Sequence, residues 1–132
     1  MKAAILKGPH ELVVEEVPDP ICGPDEVVYR IGANTVCGTD LRILRGEKTA
    51  GVRKGVVLGH EMAGEIVEVG KNVTGYQVGD RIGVLPSVTC GSCWYCINDL
   101  EHWCESLDLF GYAIDGGLAE YGKLPAQAAL RG

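Results

Sequence analysis

No apolar run in these 132 residues approaches the roughly 20 that a membrane-spanning helix needs, so no helical membrane anchor is expected. Positive charge is also scarce. Twelve Lys and Arg stand against 18 Asp and Glu, giving a formal charge of −6 and a pI near 5.0. Such a chain lacks the basic face that phosphates require, which excludes nucleic acid as a partner. No export signal is expected either: the short apolar stretch Ala3-Ala4-Ile5-Leu6 is broken at once by Lys7, Gly8 and Pro9. The expected compartment is therefore the reducing cytoplasm. Internal repeats and linkers are absent, and the length suits one domain with a real core.

Glycine and cysteine are what the chain has. Glycine supplies 19 of 132 residues, about twice its usual share of ~7%, and without low-complexity sequence this points to many tight turns. The six cysteines are unevenly placed. Cys90, Cys93, Cys96 and Cys104 fall in the run C-G-S-C-W-Y-C followed by seven residues and the last Cys. A C-x2-C step lets one tight turn offer two sulfurs to one ion, and four thiolates around zinc leave no position for substrate. The expectation is a closed, structural zinc site. An iron–sulfur cluster would continue the run as x3-C-P, which this chain does not. Disulfides are disfavoured in a reducing compartment. His102 lies within the lobe and is expected to be solvated, and Cys22 reads as a plain thiol near a loop.

The periodicities are those of a mainly β protein. Residues 2–6 and 11–17 flank a Gly8-Pro9 turn and suggest a hairpin. Pro18, Pro20 and Pro24 mark an extended connection that cannot lie inside a sheet. Strands are expected at 26–33, 62–69, 78–85 and 117–124, with a short helix over 38–46 that has a capping-type start and a glycine stop. Many short strands with Gly and Pro punctuation suggest a small, partly open barrel, from which the cysteine lobe, about residues 88–110, is an excursion.

Five segments then carry a resemblance. They are Val36-Cys37-Gly38-Thr39-Asp40, Gly59-His60-Glu61 with Ala63-Gly64, Val78-Gly79-Asp80-Arg81-Ile82, the four-cysteine lobe, and Gly116-Gly117-Leu118-Ala119-Glu120-Tyr121. In this order and spacing the chain resembles the N-terminal catalytic domain of the medium-chain zinc-dependent alcohol dehydrogenases, over nearly its whole length. The resemblance implies a GroES-like, partly open β-barrel with short helices and an inserted four-cysteine zinc lobe, spanning residues 1–132. It implies an oxidoreductase that takes hydride from a small alcohol or polyol to NAD(P), and a possible homo-oligomer. Cys37 and His60 would be ligands of a catalytic zinc, with Glu61 as an occasional ligand or a nearby carboxylate. Taken singly, Cys37 could be a small buried hydrophobe, His60 a satisfied core histidine and Glu61 a strand-edge charge.

Asp40 would orient the His60 ring through its other nitrogen; alternatively it simply favours the first turn of a helix. Thr39 would receive the proton of an alcohol acidified by zinc before hydride loss, or would cap the helix. Some family members continue that relay through a histidine where this chain has Arg42, whose pKa is too high to shuttle protons. NAD(P) would need a strand–Gly-x-Gly-x-x-Gly–helix unit. The stretch Gly111–Gly122 does not supply one, and the chain is expected to stop before the family's cofactor domain and its third protein ligand to catalytic zinc. The expected centre is thus a partial catalytic zinc site beside a full structural one. The competing reading is a stand-alone, non-catalytic GroES-like zinc module.

Overall fold

A computed structural model describes residues 1–130 and is β-rich, with open sheets and short helices. Strands β1 (Lys2–Gly8) and β2 (Glu11–Glu16) pair as the expected antiparallel hairpin. The turn between them uses His10 at a φ of 61°, and the His10 N–H donates to the Leu44 carbonyl at 2.5 Å. Strand β3 (Val27–Asn34) runs into helix α1 (Gly38–Leu44), and after a long loop come β4 (Met62–Val69) and β5 (Arg81–Val84). Two-residue strands β6 (Ser87–Val88) and β7 (Asp108–Leu109) pair with each other. Between them lie helix α2 (Trp94–Ile97) and a 3-10 turn, Glu101–Trp103. Strand β8 (Tyr121–Leu124) and helix α3 (Ala126–Ala129) end the described chain.

The main sheet is antiparallel in the order β5-β4-β3-β8. The hairpin pairs with none of its strands and bridges instead to the loops that flank them, Ala3 to Ala119 and Ile5 to Val57, so the barrel stays partly open. One core lies on the main sheet, around the fully buried Val27, Tyr29, Ile66 and Phe110. A second, formed by Leu6, Ile43, Val56, Leu58 and Tyr112, fills the space between the hairpin and α1. Burial of the Tyr29 ring also pushes its phenol pKa up.

Three expectations are corrected. The strand expected at 78–85 begins only at Arg81, because the Asp80 carboxylate accepts the Gln77 N–H at 2.8 Å and Gly79 turns with a φ of 96°. The strand expected at 117–124 begins at Tyr121. Its first residues instead bond to the loop before β4, Gly117 N–H to Gly59 O at 3.0 Å and Leu118 N–H to Leu58 O at 2.9 Å. Thr39 does not cap α1: Cys37 holds the N-cap position, and Thr39 lies inside the first turn. Among the described residues, no helix is long and apolar enough to cross a membrane.

Candidate metal centres

The antiparallel pairing of β3 and β4 explains why Cys37 and His60 meet although 22 residues separate them. Asn34 at the end of β3 faces Met62 at the start of β4, and Thr35 N–H extends the ladder to Glu61 O at 2.9 Å. The chain leaving β3 and the chain entering β4 therefore lie side by side. The first delivers Cys37 and the second delivers His60 and Glu61. One ligand atom from each of these three residues lies within 4.8 Å of the other two.

The position of His60 is set by crowded glycines. Gly59 has a φ of 95°, and a Cβ there would stand 2.8 Å from Asn34 Nδ2 and 2.9 Å from Asn34 Oδ1. A Cβ on Gly116 would stand 1.9 Å from the Gly59 carbonyl oxygen, and one on Gly111 would stand 2.8 Å from it. Only hydrogen atoms fit at these approaches, so the backbone before His60 is clamped.

Behind the ring, His60 Nδ1 lies 3.2 Å from Asp40 Oδ1. Both residues are buried, at 9% and 4% exposure. The contact falls short of hydrogen-bond alignment, and neither atom has another partner. The other Asp40 oxygen, Oδ2, accepts the Cys37 N–H at 2.9 Å. One carboxylate thus holds the Cys37 cap through one oxygen and stands beside the His60 ring at Nδ1 with the other. Asp40 also sits in the first turn of α1, where a carboxylate is favourable. Glu61 is exposed on its outer side and accepts a hydrogen bond from the Thr35 hydroxyl. Thiolate, imidazole and carboxylate form the mixed N/S/O donor set of an open zinc site. A metal on Nε2 would give the buried Nδ1–H a reason to point at Asp40. The residues fit the ion.

Sequence reasoning missed a ring beside His60 and the cation that lies over that ring. The Tyr112 ring stands edge-on to His60 at 6.1 Å and 64°, and Lys48 Nζ lies 5.4 Å from the centre of the Tyr112 ring. The Tyr112 phenol is held above its usual pKa, first by burial and then by the negative charges on Asp40 and Cys37. No local pattern marks either residue; only the packing of the loop at Gly111 against Gly59 brings Tyr112 in.

The second cluster is the cysteine lobe. A tetrahedron of sulfurs about 2.3 Å from zinc has edges of about 3.8 Å. Cys96 Sγ lies 3.9 Å from Cys90 Sγ and 3.5 Å from Cys93 Sγ, and all four sulfurs lie within 4.8 Å of one another. Cys93 caps α2, Cys96 lies inside it, and the 3-10 turn delivers Cys104. The β6–β7 ribbon closes the base of the lobe, and Tyr95 packs edge-on between Trp94 and Trp103, at 5.4 and 5.8 Å.

Backbone N–H groups aim at the sulfurs: Cys93 N–H to Cys90 Sγ at 3.4 Å, Cys90 N–H to Cys104 Sγ at 3.3 Å and Ser106 N–H to Cys104 Sγ at 3.4 Å. Backbone groups at Ser92 and Cys93 bring the Cys90 pKa down to about 6, and those at Glu105 and Cys96 lower that of Cys93. Burial pushes Cys96 up to about 12. Three thiols that ionise unequally in one pocket suit a divalent ion, whose charge deprotonates coordinating thiols outright. His102 is exposed and takes no part in the cluster. Cys22 is a separate free thiol whose Sγ lies 3.3 Å from the Glu26 carbonyl.

Comparison with known proteins gives a consistent result. The profile of the alcohol dehydrogenase GroES-like domain matches residues 23–131. The L-threonine 3-dehydrogenase of Pyrococcus furiosus is 44% identical over 119 residues, which cover 89% of this chain and 34% of that protein. The zinc-type alcohol dehydrogenase B of Aspergillus flavus is 39% identical over 127 residues, 95% of this chain and 29% of that protein. Among solved structures, an Escherichia coli protein described as a short chain alcohol dehydrogenase, complexed with cofactor NADH, superposes with a TM-score of 0.88 at 34% identity. That match covers 98% of this chain and 37% of the other. The chain spans about a third of the length of the curated relatives it matches.

Proposed function

The chain belongs to the alcohol dehydrogenase GroES-like domain family, and from that premise we propose that it is the zinc-binding catalytic part of an NAD(P)-dependent dehydrogenase of small alcohols or polyols. The observation that carries this reading is the meeting of Cys37, His60 and Glu61 in front of a buried Asp40. A barrel with only a binding or assembly role gains nothing from a buried imidazole and carboxylate whose facing atoms lack hydrogen bonds, each worth about 1–3 kcal/mol of lost stability.

A zinc ion held by these residues supplies a Lewis acid that lowers the pKa of a bound hydroxyl group. Cys37 and Glu61 bring two negative donors, and His60 a neutral nitrogen. Asp40 keeps the His60 ring in the orientation that turns Nε2 outward. Thr39, half-buried on α1 two residues after Cys37, offers its hydroxyl to the substrate's proton. Arg42 is permanently charged and cannot hand that proton on, so it leaves Thr39 for water. The four cysteines of the lobe would hold a second, structural zinc, which would stiffen the excursion between β6 and β7.

NAD(P) is the proposed hydride acceptor. Every strand pairing in the described residues is antiparallel, and the sequence has no strand–Gly-x-Gly-x-x-Gly–helix unit, so these residues offer the dinucleotide no phosphate cradle. The acceptor is bound outside them.

The reading is tested with cobalt placed in the Cys37 centre of the 132-residue polypeptide while zinc fills the lobe. Addition of a simple alcohol should shift the cobalt visible bands, and His60→Ala should abolish the bands. Calorimetry with NAD or NADP should give no heat of binding. A cobalt spectrum indifferent to alcohols would overturn the substrate role. Alcohol oxidation by these 132 residues alone would overturn the placement of the acceptor.

A further inference from the structure

The Asp40 carboxylate does not by itself fix the ring of His60. Its Oδ1 stands 3.2 Å from Nδ1 without hydrogen-bond alignment, and rotation of an imidazole about its second side-chain torsion is broad and roughly two-fold. A second constraint is needed to keep one nitrogen toward Cys37 and Glu61. Among the described residues, one aromatic ring stands against that of His60. It is Tyr112, edge-on, with centroids 6.1 Å apart and planes at 64°, within the separation at which such pairs attract. Tyr112 is itself buried in the core of Leu6, Ile43, Val56 and Leu58, so its ring is a firm wall for the imidazole.

Arg53 anchors the segment that carries this wall. Its backbone N–H donates to the Tyr112 carbonyl at 2.9 Å, its Nε to the Ala113 carbonyl at 3.2 Å and its Nη2 to Asp115 Oδ1 at 2.5 Å. The same Asp115 oxygen accepts the Val57 N–H at 3.0 Å, three residues before His60. An isolated surface ion pair would be weak. Here the rigid guanidinium fork is shared between a backbone carbonyl and a carboxylate, which fixes direction as well as distance. We propose that Tyr112 is a positioning residue for His60: its ring edge holds the imidazole in the rotation that serves a metal, and the Arg53–Asp115 pair holds Tyr112 in place. This rests on the proposed metal centre and adds to it a determinant on a segment, residues 111–116, that carries no ligand.

The experiment uses the 132-residue polypeptide with zinc in the lobe and cobalt in the Cys37 centre. Proton NMR reads the paramagnetically shifted ring N–H of His60, whose shift depends on the rotation of the imidazole about its cobalt bond, and a chelator titration reads the affinity. Tyr112→Phe keeps the ring edge and should leave the signal in place and the affinity within about twofold of the parent. Tyr112→Leu should displace the signal and lower cobalt affinity about tenfold, the lower end of the range for disturbed ligand orientation. Leu6→Ala thins the same core with the Tyr112 ring present, and should leave the signal where it is. The Arg53 side chain is half exposed, so Arg53→Gln keeps the fold even where a core variant does not. It should move the same signal in the same direction as Tyr112→Leu, by less. An unchanged signal and affinity in Tyr112→Leu, an equal change in Tyr112→Phe or in Leu6→Ala, or a signal unmoved by Arg53→Gln would each overturn the proposal. Failure of the metal centre itself would look different, because the parent would show neither a cobalt band nor a shifted N–H.

Discussion

Replacing Gly116 by Ala should weaken the fold and the Cys37 centre together. The added Cβ would stand 1.9 Å from the Gly59 carbonyl oxygen and 2.8 Å from that of Leu58, where ordinary contact begins at 3.4 Å. Both atoms are backbone, so no side chain can swing away, and the two segments must separate by about 1.5 Å to restore contact distance. Three hydrogen bonds join them at this point: Gly116 N–H to Val57 O at 2.8 Å, Gly117 N–H to Gly59 O at 3.0 Å and Leu118 N–H to Leu58 O at 2.9 Å. Stretched by that amount they are lost. At about 1 kcal/mol net each, the destabilisation is about 3 kcal/mol. His60 follows Gly59 directly, so its displacement from Cys37 and Glu61 should lower metal affinity there by about 10–100-fold, the range seen when ligand orientation is disturbed. Urea unfolding followed by circular dichroism gives the first quantity, and competition with a chromophoric chelator gives the second. Gly83→Ala is the control, since nothing lies within 4 Å of a Cβ there. If Gly116→Ala unfolds within about 0.5 kcal/mol of the parent, the range of an ordinary surface change, and keeps its metal affinity, the clamp around Gly59 is refuted.

Asp40→Asn keeps the shape behind His60 but removes the charge that orients Nδ1–H. Metal affinity at the Cys37 centre should fall about 10–100-fold with little loss of fold, and an unchanged chelator titration would count against the orienting role. In the lobe, Cys96 must give up a proton to bind metal because burial holds its pKa up at about 12. Zinc affinity should therefore rise with pH, by at least about tenfold per unit between pH 6 and 9, and a pH-independent titration would contradict this. The sign follows from competition: protons re-occupy the thiol as pH falls, and the metal is released on the acid side. Cys96→Ser should open the lobe while leaving the core around Tyr29 and Phe110 intact, which hydrogen exchange can separate. Simultaneous loss of protection in both would show that the lobe is not an independent unit.

The features legible in the sequence were those that depend on local spacing. The C-x2-C steps placed three sulfurs between Cys90 and Cys96, and the lobe needed only the short return to Cys104. The hairpin and the strands at β3 and β4 were legible to within a residue or two because each carries its apolar residues in one run. The segment 78–80 looked like strand because Val78 and Ile82 suggested continuity, yet the Asp80 side chain bonding to Gln77 N–H won over that pattern. Gly117 reads as the start of the last strand because nothing in its own neighbourhood records that its N–H bonds to the carbonyl of Gly59, more than 50 residues earlier. The same holds for Tyr112, which stands beside His60, and for Lys48, which lies over the Tyr112 ring. Long-range contact, with no periodicity to announce it, is what the linear pattern could not carry.

A competitive zinc titration of the metal-free 132-residue polypeptide against a chromophoric chelator most directly tests the claim that a closed four-thiolate site and an open three-ligand site coexist. The account predicts two steps. The first is one tight equivalent per chain, strongly weakened in Cys93→Ser, in keeping with structural zinc sites worth about 10–16 kcal/mol. The second is one equivalent at least about 100-fold weaker, since the Cys37 centre has three protein donors on this chain where the lobe has four thiolates, and it disappears in Cys37→Ser. Two equally tight equivalents, a single step, or a weak step that survives Cys37→Ser would contradict it.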